Sequence, residues 1–201
     1  LDIKQALYRR LNDTCKDSTI ITSNTSTIPI RLLTEGMPTE FCERFAITHF
    51  FNPVRFMRLL ELVRGEFTRD DVINTLDVFS EINLGKGVVS CSDTPGFLAN
   101  RVGVFAIQCA LHNAFDLKLS PTEADAFFGR PLGLPKTGVF GLYDLIGIDL
   151  MADIVKSLVS ILPENDAFHN YSAPIDFMTN MIANDLTGNK NKKGFYKQDG
   201  D

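Results

Sequence analysis

The sequence predicts an α/β unit followed by an all-helical one. Three observations carry that reading. Short β-branched or apolar runs alternate with helical patterns up to Cys91, no convincing strand signal follows it, and helix start and stop residues punctuate the remainder. The change of character near Asp93 divides the 201 residues into a part over 1–93 and a helical part over 94–201.

In "DIKQALYRRLNDTC" the apolar residues Ile3, Ala6, Leu7 and Leu11 recur at helical spacing, which predicts a helix over about 2–15. "STIITS" is short and β-branched, the pattern of a buried strand ending near Ser23. Asn24 to Thr27 form a polar turn, before a short helical stretch over about 29–34. "RFAITHF" and "MRLLELV" read as two further strands. Between them Asn52-Pro53 breaks the chain, because proline lacks an N–H and disfavours helix at the residue before it. Thr68 is placed to cap a helix over about 69–84, with Asp70 and Asp71 in its first turn and Gly85 as its stop. "GVVSC" is the fourth strand.

The helical part opens at Thr94-Pro95 with a helix expected to run to about Leu117. It is apolar on almost every side (Leu98, Val102, Phe105, Leu111, Phe115), as a buried or partner-shared helix is. "SPTEADAFFG" has the form of a capping box: Ser120 as cap, Pro121 first in the helix, Glu123 three residues on, Gly129 at the stop. The connection "GRPLGLPKTG" leads to helices over about 139–147 and 149–161, and a last one spans about 174–186.

With 44% apolar and 22% charged residues the composition is that of an ordinary globular protein. A net charge of −5 argues against a nucleic-acid partner. Cys15, Cys42, Cys91 and Cys109 show no CxxC spacing and no histidine at zinc-site spacing, so no metal is expected. They read as buried reduced thiols in a reducing, cytoplasmic compartment. No apolar run approaches the roughly 20 residues of a membrane span. The chain starts at Leu1 with no signal-peptide pattern, which suggests a processed chain or a fragment.

Four polar residues stand out. His49 ends one strand run and Glu61 lies in the next; if the strands are neighbours, a carboxylate could hold the imidazole as a general base. Spacing alone favours a satisfied core pair or a chance placement over a catalytic one. Ser26 sits in a turn after a strand, where open α/β sheets bind ligands, or where a serine simply makes the turn. Asn100 lies within an apolar helix, where its amide needs a partner, from ligand or protein. His112 and His169 have no comparable partner and read as structural or solvated. No G-x-G-x-x-G occurs, so either this is not a dinucleotide-binding domain or its first half is absent.

"SNTST", "HFFNPV..M.LLELV.G", "LGKGVVSCSDTPGFLANRV", "GLYDLIGID" and the tail "KNKKGFY" resemble, in order and spacing, the 3-hydroxyacyl-CoA dehydrogenases of fatty-acid β-oxidation, most nearly the bacterial multidomain type. The tail has Lys192 where that family usually has glycine. The resemblance implies the C-terminal part of a Rossmann-like NAD-binding domain, then the family's helical C-terminal domain. It implies NAD as cofactor and an L-3-hydroxyacyl-CoA substrate oxidised to the 3-ketoacyl-CoA. Carried over by motif, His49 is the general base, Glu61 orients it, and Ser26 and Asn100 lie near the substrate oxygen and the nicotinamide. Ser26, Asn52 and Lys190 would contact the cofactor. A homodimer through the helical domain is expected. The glycine-rich half of the NAD site is expected to be missing, leaving this chain alone inactive, a poor NAD binder and prone to self-association. The alternative is a non-catalytic acyl-binding or oligomerisation module of the same fold.

Overall fold

The computed structural model describes residues 1–132 and 136–197. Part of the connection "GRPLGLPKTG" therefore lies outside the described residues. The chain forms two compact units, Leu1–Arg101 and Val102–Asp201.

All four sequence-predicted strands form, as β1 (Ile21–Ser23), β2 (Phe45–Phe50), β3 (Leu59–Arg64) and β4 (Gly87–Cys91). They make one sheet in the order β1-β2-β3-β4; β1 and β2 are parallel, β2 and β3 antiparallel, β3 and β4 parallel. Helices α1 (Asp2–Thr14), α2 (Ile30–Leu33) and α3 (Thr39–Glu43) cover one face, and α4 (Asp70–Val78) covers the other. The alternation along the strands divides the core accordingly. Phe45, Ile47 and Val63 face Tyr8, Leu33 and Phe41, whereas Ala46, Leu60 and Leu62 face Ile73 and Leu76. Burial on both faces explains why β2 and β3 are apolar runs rather than alternating ones.

Short α3 has no periodic stretch long enough to announce it, and only Pro38 ahead of it marks its start. Thr68 does not cap α4 as expected. Its hydroxyl donates to the Phe45 carbonyl at 2.7 Å and accepts from Gly65 N–H at 2.8 Å, and α4 begins after Arg69 without a side-chain cap. Beyond Val78 the helix continues as a π-helical turn, Phe79–Asn83.

The Phe41 ring is fully buried and stacks on Phe45 at 5.6 Å, with Tyr8 against both and the Arg44 guanidinium over it at 5.5 Å. Phe41→Ala is expected to cost about 3–5 kcal/mol of unfolding free energy. Urea denaturation followed by circular dichroism checks this, and a loss below ~1 kcal/mol would mean the cluster is not the centre of this core.

The second unit is helical: α5 (Ala99–Asp116, whose first turn belongs to the first unit), α6 (Pro121–Phe127), α7 (Phe140–Ile146), α8 (Ile148–Ile161) and α9 (Asp176–Ala183). Helix α5 starts four residues later than the sequence suggests, because Gly96 (φ 73°) and Phe97 (φ 49°) adopt left-handed conformations that no helix accepts. It is not apolar-buried all round either: Val104, Ala110, Leu111 and Ala114 enter the core while Val102 is 61% exposed. The capping box is present, with Ser120 Oγ accepting from Glu123 N–H at 3.3 Å and Glu123 accepting from Ser120 N–H at 2.9 Å.

Two aspartates in this unit hold the tail. Buried Asp144 accepts from the N–H groups of Phe195 (2.9 Å) and Tyr196 (2.8 Å). Asp125 accepts from Phe140 and Gly141 N–H and from the Tyr196 hydroxyl, each within 2.9 Å. A Cβ at Gly194 would stand 2.0 Å from Asp144 Oδ1, so only glycine lets the tail approach. Lys192, by contrast, holds a left-handed φ of 60°, which explains why glycine is usual there. The four cysteines are free but half-buried rather than buried. No helix of the described residues is long and apolar enough to cross a membrane.

Candidate active site

Antiparallel pairing of β2 and β3 sets His49 directly opposite Glu61, on the sheet face that carries Phe45, Ile47 and Val63. The twelve-residue spacing is thus a cross-strand contact. His49 Nδ1 lies 2.7 Å from Glu61 Oε2. The other oxygen, Oε1, accepts from the backbone N–H of Leu98 (3.0 Å) and of Ala99 (2.6 Å), at the start of α5. The left-handed turn at Gly96-Phe97 aims these donors, and the positive end of the 18-residue helix dipole adds to them.

Glu61 is fully buried. Burial alone would raise its pKa, but the hydrogen bonds from His49, Ala99 and Leu98 outweigh it and hold the carboxyl below its ordinary range. An ionised carboxylate only accepts, so Nδ1 is the donor in this contact and Nε2 is the nitrogen it leaves over. Nε2 has no hydrogen-bond partner among the described residues. Phe51 (4.5 Å between ring centroids) and Phe97 (5.8 Å) flank the imidazole and restrict its plane. Cys91 lies 3.8 Å from Glu61 Oε1, and burial with that negative neighbour pushes its thiol up to about 11, leaving it protonated and unreactive.

The other sequence-predicted residues divide between the units. Because Ser23 pairs in parallel with Ile47, the loop after β1 leaves the sheet beside the end of β2, and Asn24 Oδ1 accepts from Phe50 N–H at 2.9 Å. Ser26 is half-buried in that loop, and Asn100 is half-buried in the first turn of α5, one residue after the Ala99 N–H on Glu61. Asp93 braces both segments: from the β4–α5 loop its carboxylate accepts from Ile30 N–H (2.9 Å) and Arg31 N–H (3.4 Å), closing the loop that holds Ser26. Asn52 is exposed, two residues beyond β2. Lys190 belongs to the second unit, where its ammonium pairs with Asp149.

Sequence reasoning missed Asn24, Asp93, Phe97 and the two backbone donors. The Pro95-Gly96 turn signal was the available hint, since it requires the helix to begin after it and so brings fresh N–H groups to Glu61.

An imidazole held by a buried carboxylate at the end of an α/β sheet, with no partner for its second nitrogen among the described residues, is an arrangement that can move a proton. The profile of the 3-hydroxyacyl-CoA dehydrogenase NAD binding domain matches residues 1–94, and that of the family's C-terminal domain matches residues 96–198. The chain belongs to the 3-hydroxyacyl-CoA dehydrogenase family. It is 45% identical over 197 residues to a Rickettsia prowazekii (strain Madrid E) protein carrying the name fatty acid oxidation complex trifunctional enzyme, covering 98% of this chain and 27% of that one. It is 35% identical over 199 residues to the mitochondrial hydroxyacyl-coenzyme A dehydrogenase of Mus musculus, covering 98% of this chain and 60% of the relative. The crystal structure of (S)-3-hydroxybutyryl-CoA dehydrogenase PaaH1 from Ralstonia eutropha superposes with a TM-score of 0.85 at 30% identity, over all of this chain and 68% of that one. The chain thus spans about a quarter of the Rickettsia relative and three fifths of the mouse one.

Ser26 and Asn52 present a hydroxyl and an amide, groups able to hydrogen-bond a carboxamide such as that of NAD. Loops at the carboxyl ends of parallel β1 and β2 are where open α/β sheets receive such ligands, and Ser26 and Asn52 lie on them. Residues 1–201 contain no G-x-G-x-x-G turn for the pyrophosphate.

Proposed function

We propose that this chain supplies the proton-transfer half of an NAD-dependent oxidation of L-3-hydroxyacyl-CoA to 3-ketoacyl-CoA in fatty-acid β-oxidation. The observation that carries the reading is the buried Glu61 carboxylate on His49 Nδ1, which leaves Nε2 as a base. In the forward direction Nε2 takes the proton of the substrate's 3-hydroxyl group, and Glu61 stabilises the imidazolium that results. A bound NAD would supply the acceptor for the hydride that leaves the carbon bearing that hydroxyl. Ser26 and Asn100 offer a hydroxyl and an amide to the substrate oxygen and the nicotinamide carboxamide. Asn52 and Lys190 are assigned to the cofactor, Lys190 after release from Asp149.

The helical unit is assigned to a homodimer. Its exposed Val102, Leu145, Leu150 and Phe177 support this, since each leaves an apolar side chain in water. Cytoplasmic operation is in keeping with four unpaired cysteines.

Lacking the glycine-rich turn, the 201-residue chain is expected to bind NADH more weakly than the micromolar range and to turn over little. Fusing a family member's glycine-rich segment ahead of Leu1 should restore NADH formation from 3-hydroxybutyryl-CoA. A micromolar dissociation constant by NADH fluorescence for the chain alone overturns the first expectation. A fusion that binds NADH but forms none from the substrate overturns the assigned reaction and favours the non-catalytic module.

A further inference from the structure

We propose that the helical unit holds a second ligand site, for an uncharged amphiphile with an alkyl or acyl chain and one carbonyl or hydroxyl group, in the cavity lined by Tyr143 and Gln108. This cavity, of about 460 Å³ and open to solvent on one side, is lined by residues of α5, α7, α8 and α9 and the segment before α9. Its volume falls in the range of small-molecule sites, roughly 300–1,000 Å³. Leu111, Val155, Met178 and Ile182 make most of its wall apolar.

Two polar groups interrupt that wall. Tyr143 is 1% exposed, and its hydroxyl has no hydrogen-bond partner among the described residues. A buried hydroxyl left this way costs about 1–3 kcal/mol, and native folds seldom keep one unless something completes it. The Gln108 side chain lines the same cavity and is also buried, at 6% exposure. Phenol and amide together present donors and acceptors of no net charge. Water alone is a poor occupant, because a largely apolar space of this size gives most water molecules too few polar partners.

The charge of the ligand follows from what is missing inside. Lys156 and Asp153 line the mouth, both exposed and opposite in sign. A charged head buried beside Tyr143 and Gln108 would have no counter-ion and would retain its full desolvation cost. A neutral carbonyl or hydroxyl meets both groups without that cost, while its chain covers the apolar wall. The site is independent of the His49–Glu61 pair, so its test does not depend on turnover.

The probes are 1-octanol and sodium octanoate, added to the 201-residue chain and followed by thermal shift and by the Met178 methyl resonance. Octanol should bind saturably, raise Tm and move the Met178 signal, and octanoate should bind at least tenfold more weakly. Tyr143→Phe and Gln108→Leu should each weaken octanol binding about tenfold, with the unliganded Tyr143→Phe protein no less stable than the parent. Octanol that does not saturate, octanoate that binds equally well, or Tyr143→Phe that binds octanol as the parent does would overturn the proposal. So would a less stable unliganded Tyr143→Phe protein, which would mean the hydroxyl is already satisfied by water. Sedimentation in the same titration covers one more outcome: octanol binding that dissociates a dimer would assign the cavity to a side chain of a second copy.

Discussion

His49→Gln, made in the fusion that carries a glycine-rich segment, is expected to lower kcat for 3-hydroxybutyryl-CoA by about 10²–10⁴-fold, the span of a lost general base. KM should change little, since the imidazole acts on a proton that moves only in the chemical step. Glutamine is the informative replacement. Its amide can still donate to Glu61 Oε2, so the contact at 2.7 Å keeps a donor while the base disappears. His49→Ala should lose as much rate and also some stability, because it opens a space between Phe51 and Phe97. A His49→Gln enzyme that retained its rate would end the general-base assignment.

Glu61→Ala is expected to damage both activity and folding. The carboxylate is fully buried and receives four donors, from His49, Leu98, Ala99 and, at 3.8 Å, the Cys91 thiol. Removing it strands all of them, and breaking a buried pair on one side costs about 3–5 kcal/mol. The pH dependence has a definite sign. The folded state holds this carboxyl below its ordinary pKa, so its contribution to stability is complete above roughly pH 4.3, the value of a free glutamate. It is lost as pH falls through the lowered folded value. Urea unfolding between pH 7 and pH 3 should therefore show the parent losing stability over that interval more steeply than Glu61→Gln. Equal slopes would mean that the folded environment does not favour the ionised form.

The strands and helices were largely legible, because burial imposes a period on the chain. β2 and β3 are continuous apolar runs since helices pack on both faces, and α6 carries its own start and stop residues. The exceptions have local causes. Thr68 has the right residue type for a cap, yet its hydroxyl accepts from the Gly65 N–H and donates to the Phe45 carbonyl instead. Helix α5 starts later than its Thr94-Pro95 signal because the left-handed turn at Gly96-Phe97 is a backbone event that Phe97 does not advertise.

The candidate site divides the same way. Its residue types were present in the sequence: one histidine at the end of a strand, one acid in the next, a polar turn after the first strand. With the ordered family motifs, these determined the fold class and which residues to suspect. What lay beyond the sequence was contact. Only the antiparallel register sets His49 against Glu61, and only the turn before α5 brings two backbone N–H groups, which have no side-chain signature at all, onto the other carboxylate oxygen. Apolar periodicity is a property of one segment and can be read along it. The ionisation and tautomer of a buried pair depend on donors from segments far apart in the chain, and folding alone decides which of them meet.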